Sequence, residues 1–148
     1  MGSLALPTSG LVYADTSILI YTVETHAAYW PLLRPLWESP KSGGIAVVSS
    51  ELSVMEALVG PLRAGDAILM KAYDQLFRSP DIRLLPISMS VLREASRLRA
   101  AIPSLHAPDA LHAATASLAG CQVFLTNDAG FRRVAALPVV VLRDLLTS

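Results

Sequence analysis

Leu11-Val12-Tyr13-Ala14-Asp15-Thr16-Ser17 is an apolar run that ends on a carboxylate followed by two hydroxyls. Its first four residues favour a buried strand, and Thr16-Ser17 is suited to cap a helix through Ile18, Leu19, Ile20 and Tyr21. The pattern recurs along the chain. A second strand is expected over 45–48, with Ser49 or Ser50 capping a helix whose apolar face carries Leu52, Met55 and Val59. Gly60-Pro61 closes or kinks that helix, and a further one is expected over 65–77. A third strand over 82–85 precedes a helix over 90–101 that Pro103 stops. Pro108 suits the first turn of an alanine-rich helix ending near Gly120. Strands over 122–125 and 137–142 complete the set. Between the first two strands, a helix over 28–39, started or interrupted by Pro31 and Pro35, leads into a loop over 39–44.

Near-continuous apolar strands that alternate with helices indicate a parallel sheet covered on both faces. The expected fold is α/β: a three-layer α/β/α arrangement around a central, mostly parallel five-stranded sheet. Residues 1–10 read as a flexible N-terminal segment and 11–148 as a single domain, without repeats or linkers. Such folds bind ligands beyond the carboxyl ends of the strands, near the point where strand order reverses.

The 148 residues are 53% hydrophobic and 16% charged, which excludes a disordered chain and leaves apolar surface for a partner. Twelve basic and twelve acidic residues give a formal net charge of zero. Any nucleic-acid surface must therefore be local, since the general basic bias of such binders is missing. Cys121 is the only cysteine, so neither an internal disulfide nor a cysteine zinc cluster can form. No stretch approaches the roughly 18 apolar residues of a membrane span, and the first ten residues lack the regions of a signal peptide. A reducing, cytoplasmic setting is expected.

Four acids fall where such a fold builds its site. Asp15 follows the first strand, and Asp128 follows the fourth after Thr126 and Asn127. Asp109 stands in the first turn of its helix, where the dipole favours negative charge. Glu56 lies at the margin of the inward face of the helix after strand two, whereas Glu51 points elsewhere. Clustered carboxylates repel one another unless a cation sits among them, and an oxygen-only donor set favours Mg²⁺ or Mn²⁺ over zinc. Such an ion polarises a phosphate and activates a water, so phosphodiester hydrolysis needs no nucleophilic side chain. Asp15, Glu56, Asp109 and Asp128 are the candidate catalytic and metal-binding residues. Thr16, Ser17, Thr126, Asn127 and His112 are candidate accessories.

These segments also resemble a known family. Val12-Tyr13-Ala14-Asp15-Thr16-Ser17 is similar to the opening motif of PIN-domain nucleases, and Ser53-Val54-Met55-Glu56-Ala57-Leu58-Val59-Gly60 to their glutamate-bearing helix. Pro108-Asp109-Ala110-Leu111-His112-Ala113-Ala114-Thr115-Ala116 resembles their third acidic motif. Phe124-Leu125-Thr126-Asn127-Asp128-Ala129-Gly130-Phe131 resembles the strand-to-aspartate motif that completes the set. The likeness runs from about residue 11 to 142 and is strongest to VapC-type toxins of toxin–antitoxin pairs. It implies a PIN-like fold, cleavage of RNA, a divalent metal, a homodimer and inhibition by a small antitoxin. Ala129-Gly130 stands where many relatives carry a further acid, which bears on a second metal position.

Each residue also has a plainer reading. Asp15 and Asp128 can cap a helix and a turn, Asp109 can be an ordinary first-turn acid, and Glu56 a solvated one. Thr16 and Ser17 can serve as caps alone, and His112 as a packed, hydrogen-bonded side chain. His26 and His106 read as loop residues. Arg132 and Arg133 either steer RNA phosphate or face water, and among Arg93, Arg97 and Arg99 at least one faces water. Tyr29, Trp30 and Trp37 lie where relatives dimerise or hold the antitoxin, with core packing as the competing account. A receiver-like domain would need a lysine late in the sheet, but Lys41 and Lys71 are the only lysines. A haloacid-dehalogenase-type phosphatase would need an aspartate where Ser17 stands. The remaining alternative is a catalytically weak PIN-like module that binds RNA or protein.

Overall fold

The computed structural model describes residues 2–39 and 44–147. Most of the loop expected over 39–44 lies outside the described residues. Five strands, β1 (Gly10–Ala14), β2 (Ile45–Ser50), β3 (Arg83–Leu85), β4 (Val123–Thr126) and β5 (Val139–Val141), form one sheet in the order β3-β2-β1-β4-β5. Every pairing is parallel. The chain builds outward from β1 to β3, then returns to lay β4 on the other side of β1. The strand order therefore reverses between β1 and β4, and a crevice opens there at the carboxyl ends.

The helices are α1 (Thr16–Val23), α2 (Trp30–Glu38), α3 (Leu52–Ala64), α4 (Ala67–Arg78), α5 (Met89–Ala101), α6 (Ala107–Ala119) and α7 (Leu142–Leu146), with a short 3-10 turn at Ala129–Arg133. Period-two alternation divides the strand side chains between two cores. Tyr13, Val48 and Phe124 face Val91, Ala95 and Leu98 of α5 and Ala110 and Ala113 of α6. Val12, Ala14, Val47 and Leu125 face Ile18 and Leu19 of α1, Leu33 and Leu36 of α2, and Leu142 of α7. This is the three-layer α/β/α arrangement, with a sheet that is entirely parallel. Ahead of β1, in the segment read as flexible, Leu4 and Leu6 pack against the second core, and Gly2 N donates to Leu145 O at 2.6 Å.

Several boundaries and faces differ from the sequence reading. Asp15 itself, not Thr16 or Ser17, is the N-cap of α1. Ser49 and Ser50 belong to β2, although Ser50 Oγ still accepts from Leu52 N at 3.0 Å. Gly60-Pro61 neither ends nor breaks α3, because that helix runs on to Ala64. The larger correction concerns its inward face. Leu52, Ser53, Ala57 and Pro61 are buried, whereas Met55 and Val59 are 61% and 38% exposed. The inner side of α3 is small and partly polar because it covers the crevice, not the middle of the sheet. The terminal helix α7 and the 3-10 turn were not anticipated, since each is only five residues long and too short for a periodic signal.

Candidate active site

The crevice at the switch point is an open cleft of about 260 Å³. Asp15, Glu56, Asp109 and Asp128 line it together with Thr16, Ser17, His112 and Asn127. Thr126 lies just beneath, fully buried. All nine candidate positions thus converge on one place.

Asp15 enters from the end of β1, where its N–H donates to Leu125 O at 3.1 Å. Its side chain caps α1 by accepting from Ile18 N at 3.3 Å and takes a hydrogen bond from Ser17 Oγ at 2.6 Å. The other carboxylate oxygen accepts from Thr126 Oγ1. Every one of these donors is neutral, and the residue is only 6% exposed. Burial raises its pKa, and the hydrogen bonds from Ser17 and Thr126 and the nearby His112 offset this only in part.

Asp109 reaches the cleft from the first turn of α6. Burial pushes its carboxyl upward, and the charge of Asp128 pushes it further, against weaker pulls from His112, His106 and Arg133. Asp128 caps the 3-10 turn by accepting from Gly130 N at 2.8 Å, while its own N–H donates to Thr126 Oγ1 at 3.0 Å. Thr126 therefore links the two acids that leave adjacent strands. Gly130 packs tightly here: a Cβ would stand 2.9 Å from Asp128 Oδ1 and 3.2 Å from Arg133 Nη2.

Glu56 is half-buried and held through one oxygen. Oε1 accepts from Thr16 Oγ1 at 2.7 Å and lies 2.6 Å from His112 Nε2. Burial pushes its carboxyl up, but the hydrogen bonds with His112 and Thr16 outweigh that, and its pKa is lowered. His112, read chiefly as a packed and hydrogen-bonded histidine, is both that and part of the cleft wall. Asn127 bridges inward, donating from Nδ2 to Tyr21 OH at 3.2 Å and accepting from Arg143 N at 2.9 Å.

Other flagged residues do not line the cleft. Glu51 is exposed at the start of α3. His26 Nδ1 accepts from Ala28 N at 3.2 Å, and His106 precedes α6 without a side-chain capping bond. Arg132 pairs with Asp144, while Arg133 donates to Gly130 O at 2.8 Å and Ser104 Oγ at 2.6 Å. Tyr29, Trp30 and Trp37 pack against the second core. Sequence reading missed Tyr21 and Phe131 in the lining. Tyr21 carried a usable signal, being the one aromatic side chain on α1.

The cleft concentrates four carboxylates, and neither lysine nor arginine lines it. Two of the acids, Asp15 and Asp109, are penalised in their charged form. A divalent cation would relieve that penalty, and the all-oxygen donor set suits Mg²⁺ or Mn²⁺. Among the described residues, no three carboxylate, imidazole or thiol groups stand close enough to enclose an ion by themselves. Magnesium requires less than that: one or two carboxylates commonly hold it, with water and phosphate completing the shell. The residues present fit such an ion in kind.

The sequence model of the PIN domain family matches residues 12–137. No curated protein sequence matches the chain. Solved structures share its fold. VapBC2 from Rickettsia felis, bound to a DNA fragment from its promoter, superposes with a TM-score of 0.71 at 18% identity, over 89% of this chain and 98% of that one. VapC20 from Mycobacterium tuberculosis, a toxin that cleaves the sarcin–ricin loop, gives 0.68 at 16% identity, over 84% and 95%. A toxin–antitoxin complex from Klebsiella pneumoniae gives 0.63 at 23% identity, over 88% and 96%.

Proposed function

The chain belongs to the PIN-domain family, and on that footing we propose that it is a metal-dependent ribonuclease, the toxin of a toxin–antitoxin pair. The observation that carries this reading is the gathering of Asp15, Glu56, Asp109 and Asp128 in one cleft whose described wall holds neither lysine nor arginine. A bound Mg²⁺ or Mn²⁺ would neutralise the cleft, polarise a phosphate and acidify a water. Asp15, Asp109 and Asp128 would supply oxygen ligands to such an ion, and Glu56 would orient the attacking water or add a ligand. Ser17 and Thr126 hold Asp15 in place, Thr16 and His112 hold Glu56, and Asn127 fixes the loop after β4. Phe131 and Tyr21 form the apolar and aromatic part of the wall.

The same reading assigns RNA as substrate, a small antitoxin as inhibitor, a second copy of the chain as partner and the cytoplasm as setting. Neighbours solved as toxin–antitoxin complexes support the antitoxin. Exposed Met89 and Leu92 on α5 and Leu118 on α6 support a protein partner on that side. No described helix is long and apolar enough to cross a membrane.

The deciding experiment incubates the purified, folded protein with transfer and ribosomal RNA in Mg²⁺ or Mn²⁺, beside Asp15→Asn and Asp109→Asn. Cleavage by the wild type alone is expected, and sequencing the new RNA ends identifies the site. The second reading, a binding module with weak or no catalysis, is favoured by the absence of a ready three-ligand cluster among the described residues. Intact RNA after incubation with metal-loaded, folded protein would establish it instead.

A further inference from the structure

Tyr13 is the one residue of the first strand's apolar run with a polar side-chain atom. Period-two alternation sends it away from α1 and toward α6, where it is fully buried. Its ring stacks on Phe124 with centroids 5.0 Å apart and planes at 5°, and meets the His112 ring edge-on at 76°. The hydroxyl lies 2.6 Å from His112 Nδ1. His112, 3% exposed, presents Nε2 to Glu56 Oε1 at 2.6 Å and to Thr16 Oγ1 at 3.3 Å. A buried line of contacts thus runs from the central strand through α6 to the carboxylate on α3.

Counting protons gives that line a direction. Ser49 Oγ donates to Ala14 O at 2.6 Å, so across the 2.8 Å contact between the two serines Ser53 is the donor. With its hydrogen used there, Ser53 can only accept from Thr16, which leaves the Thr16 hydroxyl to serve Ser53 or Glu56. Two bare acceptors cannot approach to 2.6 Å, so the contact between His112 Nε2 and the Glu56 carboxylate must contain a hydrogen. A neutral imidazole with that hydrogen on Nε2 has a bare Nδ1, and Nδ1 then needs a donor. The Tyr13 hydroxyl, a phenol that carries its proton at neutral pH, is the donor in place.

We propose that Tyr13 is a positioning residue acting through His112: its hydroxyl donates to Nδ1, fixes the imidazole with its hydrogen on Nε2, and so aims that N–H at Glu56. Among the described residues Glu56 is held through Oε1, which would leave Oε2 for a cation or its water in the cleft that Glu56 lines. The orientation of the ring follows from the hydrogen bond on its far side, as in second-layer control of metal sites. The functional consequence rests on the nuclease reading; the proton arrangement does not.

Multiple-bond ¹H–¹⁵N spectra of ¹⁵N-histidine protein test the arrangement directly, with His112→Gln assigning the signals among the three histidines. The expected His112 pattern is a protonated Nε2 and a bare Nδ1, lost in Tyr13→Phe. A second measurement is Mn²⁺ affinity by titration: Tyr13→Phe should weaken it about tenfold. In His112→Gln, whose side-chain amide can still donate to Glu56, adding Tyr13→Phe should cost nothing further. A wild-type pattern with Nδ1 protonated, or with both nitrogens protonated, overturns the proposal. So does a Tyr13→Phe protein that keeps the wild-type pattern, or one that weakens Mn²⁺ binding equally in the His112→Gln background. Protein that shows the expected pattern and binds Mn²⁺ but leaves RNA intact refutes the nuclease reading and leaves this inference standing.

Discussion

Asp15 serves the fold and the cleft with the same two oxygens. As N-cap it stabilises α1, yet its ionised form is buried among neutral donors. Its folded pKa is raised above the unfolded value, so the folded state holds the proton more tightly. That contribution to stability is present below the unfolded pKa and is lost as pH rises through the folded one. Asp15→Asn keeps an oxygen for capping and removes the buried charge. The metal-free variant should therefore melt higher than wild type at pH 7–8, by about 2–4 °C for each 1 kcal/mol relieved in a chain of this size, and should cleave no RNA. Calorimetry beside a cleavage assay checks both halves, and an Asp15→Asn protein that melts lower would contradict the charge argument. Gly130 gives a second expectation. A Cβ there would push on Asp128 Oδ1, so Gly130→Ala should weaken Mn²⁺ binding while leaving the global fold intact, as read by titration and circular dichroism.

At the scale of elements, strands were more legible than helix faces. Short, mostly apolar runs located the strands, most cleanly the central β1, whose inner residues are buried on both faces, and least cleanly the edge strand β3, which carries exposed Arg83. The acids at strand ends were legible from the same runs: Asp15 ends the first, and Asp128 follows the fourth after Thr126 and Asn127. Glu56 was placed by a face that proved wrong, since Met55 and Val59 point outward and Ser53 and Ala57 point in. Hydrophobicity marks the inner side of a helix only where it packs on apolar sheet, and α3 lies over a polar crevice. The contact between Tyr13 and His112 spans 99 residues, which local patterning cannot register. The corrected face of α3 makes a direct prediction. Met55→Lys should change the unfolding free energy by less than about 0.5 kcal/mol, whereas a core methionine replaced in this way would cost several-fold more. Chemical denaturation decides between them.

For the molecule as a whole, neutral net charge and an acidic cleft set conditions on any RNA partner. Phosphate approaching four carboxylates is repelled until a cation intervenes. Binding of RNA, and not cleavage alone, should therefore fall on addition of EDTA, and fluorescence anisotropy would show it. Mg²⁺ or Mn²⁺ should raise the melting temperature more at pH 8 than at pH 5, because the raised pKa values of Asp15 and Asp109 put more uncompensated charge in the cleft at the higher pH. An equal shift at both pH values would place the ion elsewhere. The strand order also carries a consequence in time. β1 lies at the centre of the sheet, but its neighbour on one side is β4, and the hydrogen bond from Thr126 to Asp15 spans 111 residues. At ordinary rates of translation, the wait between making the first acid and making its partners is on the order of ten seconds. Throughout that interval a nascent chain holds Asp15 without the wall that completes its cleft. Whatever chemistry the cleft performs can begin only once β4 has been made and laid beside β1.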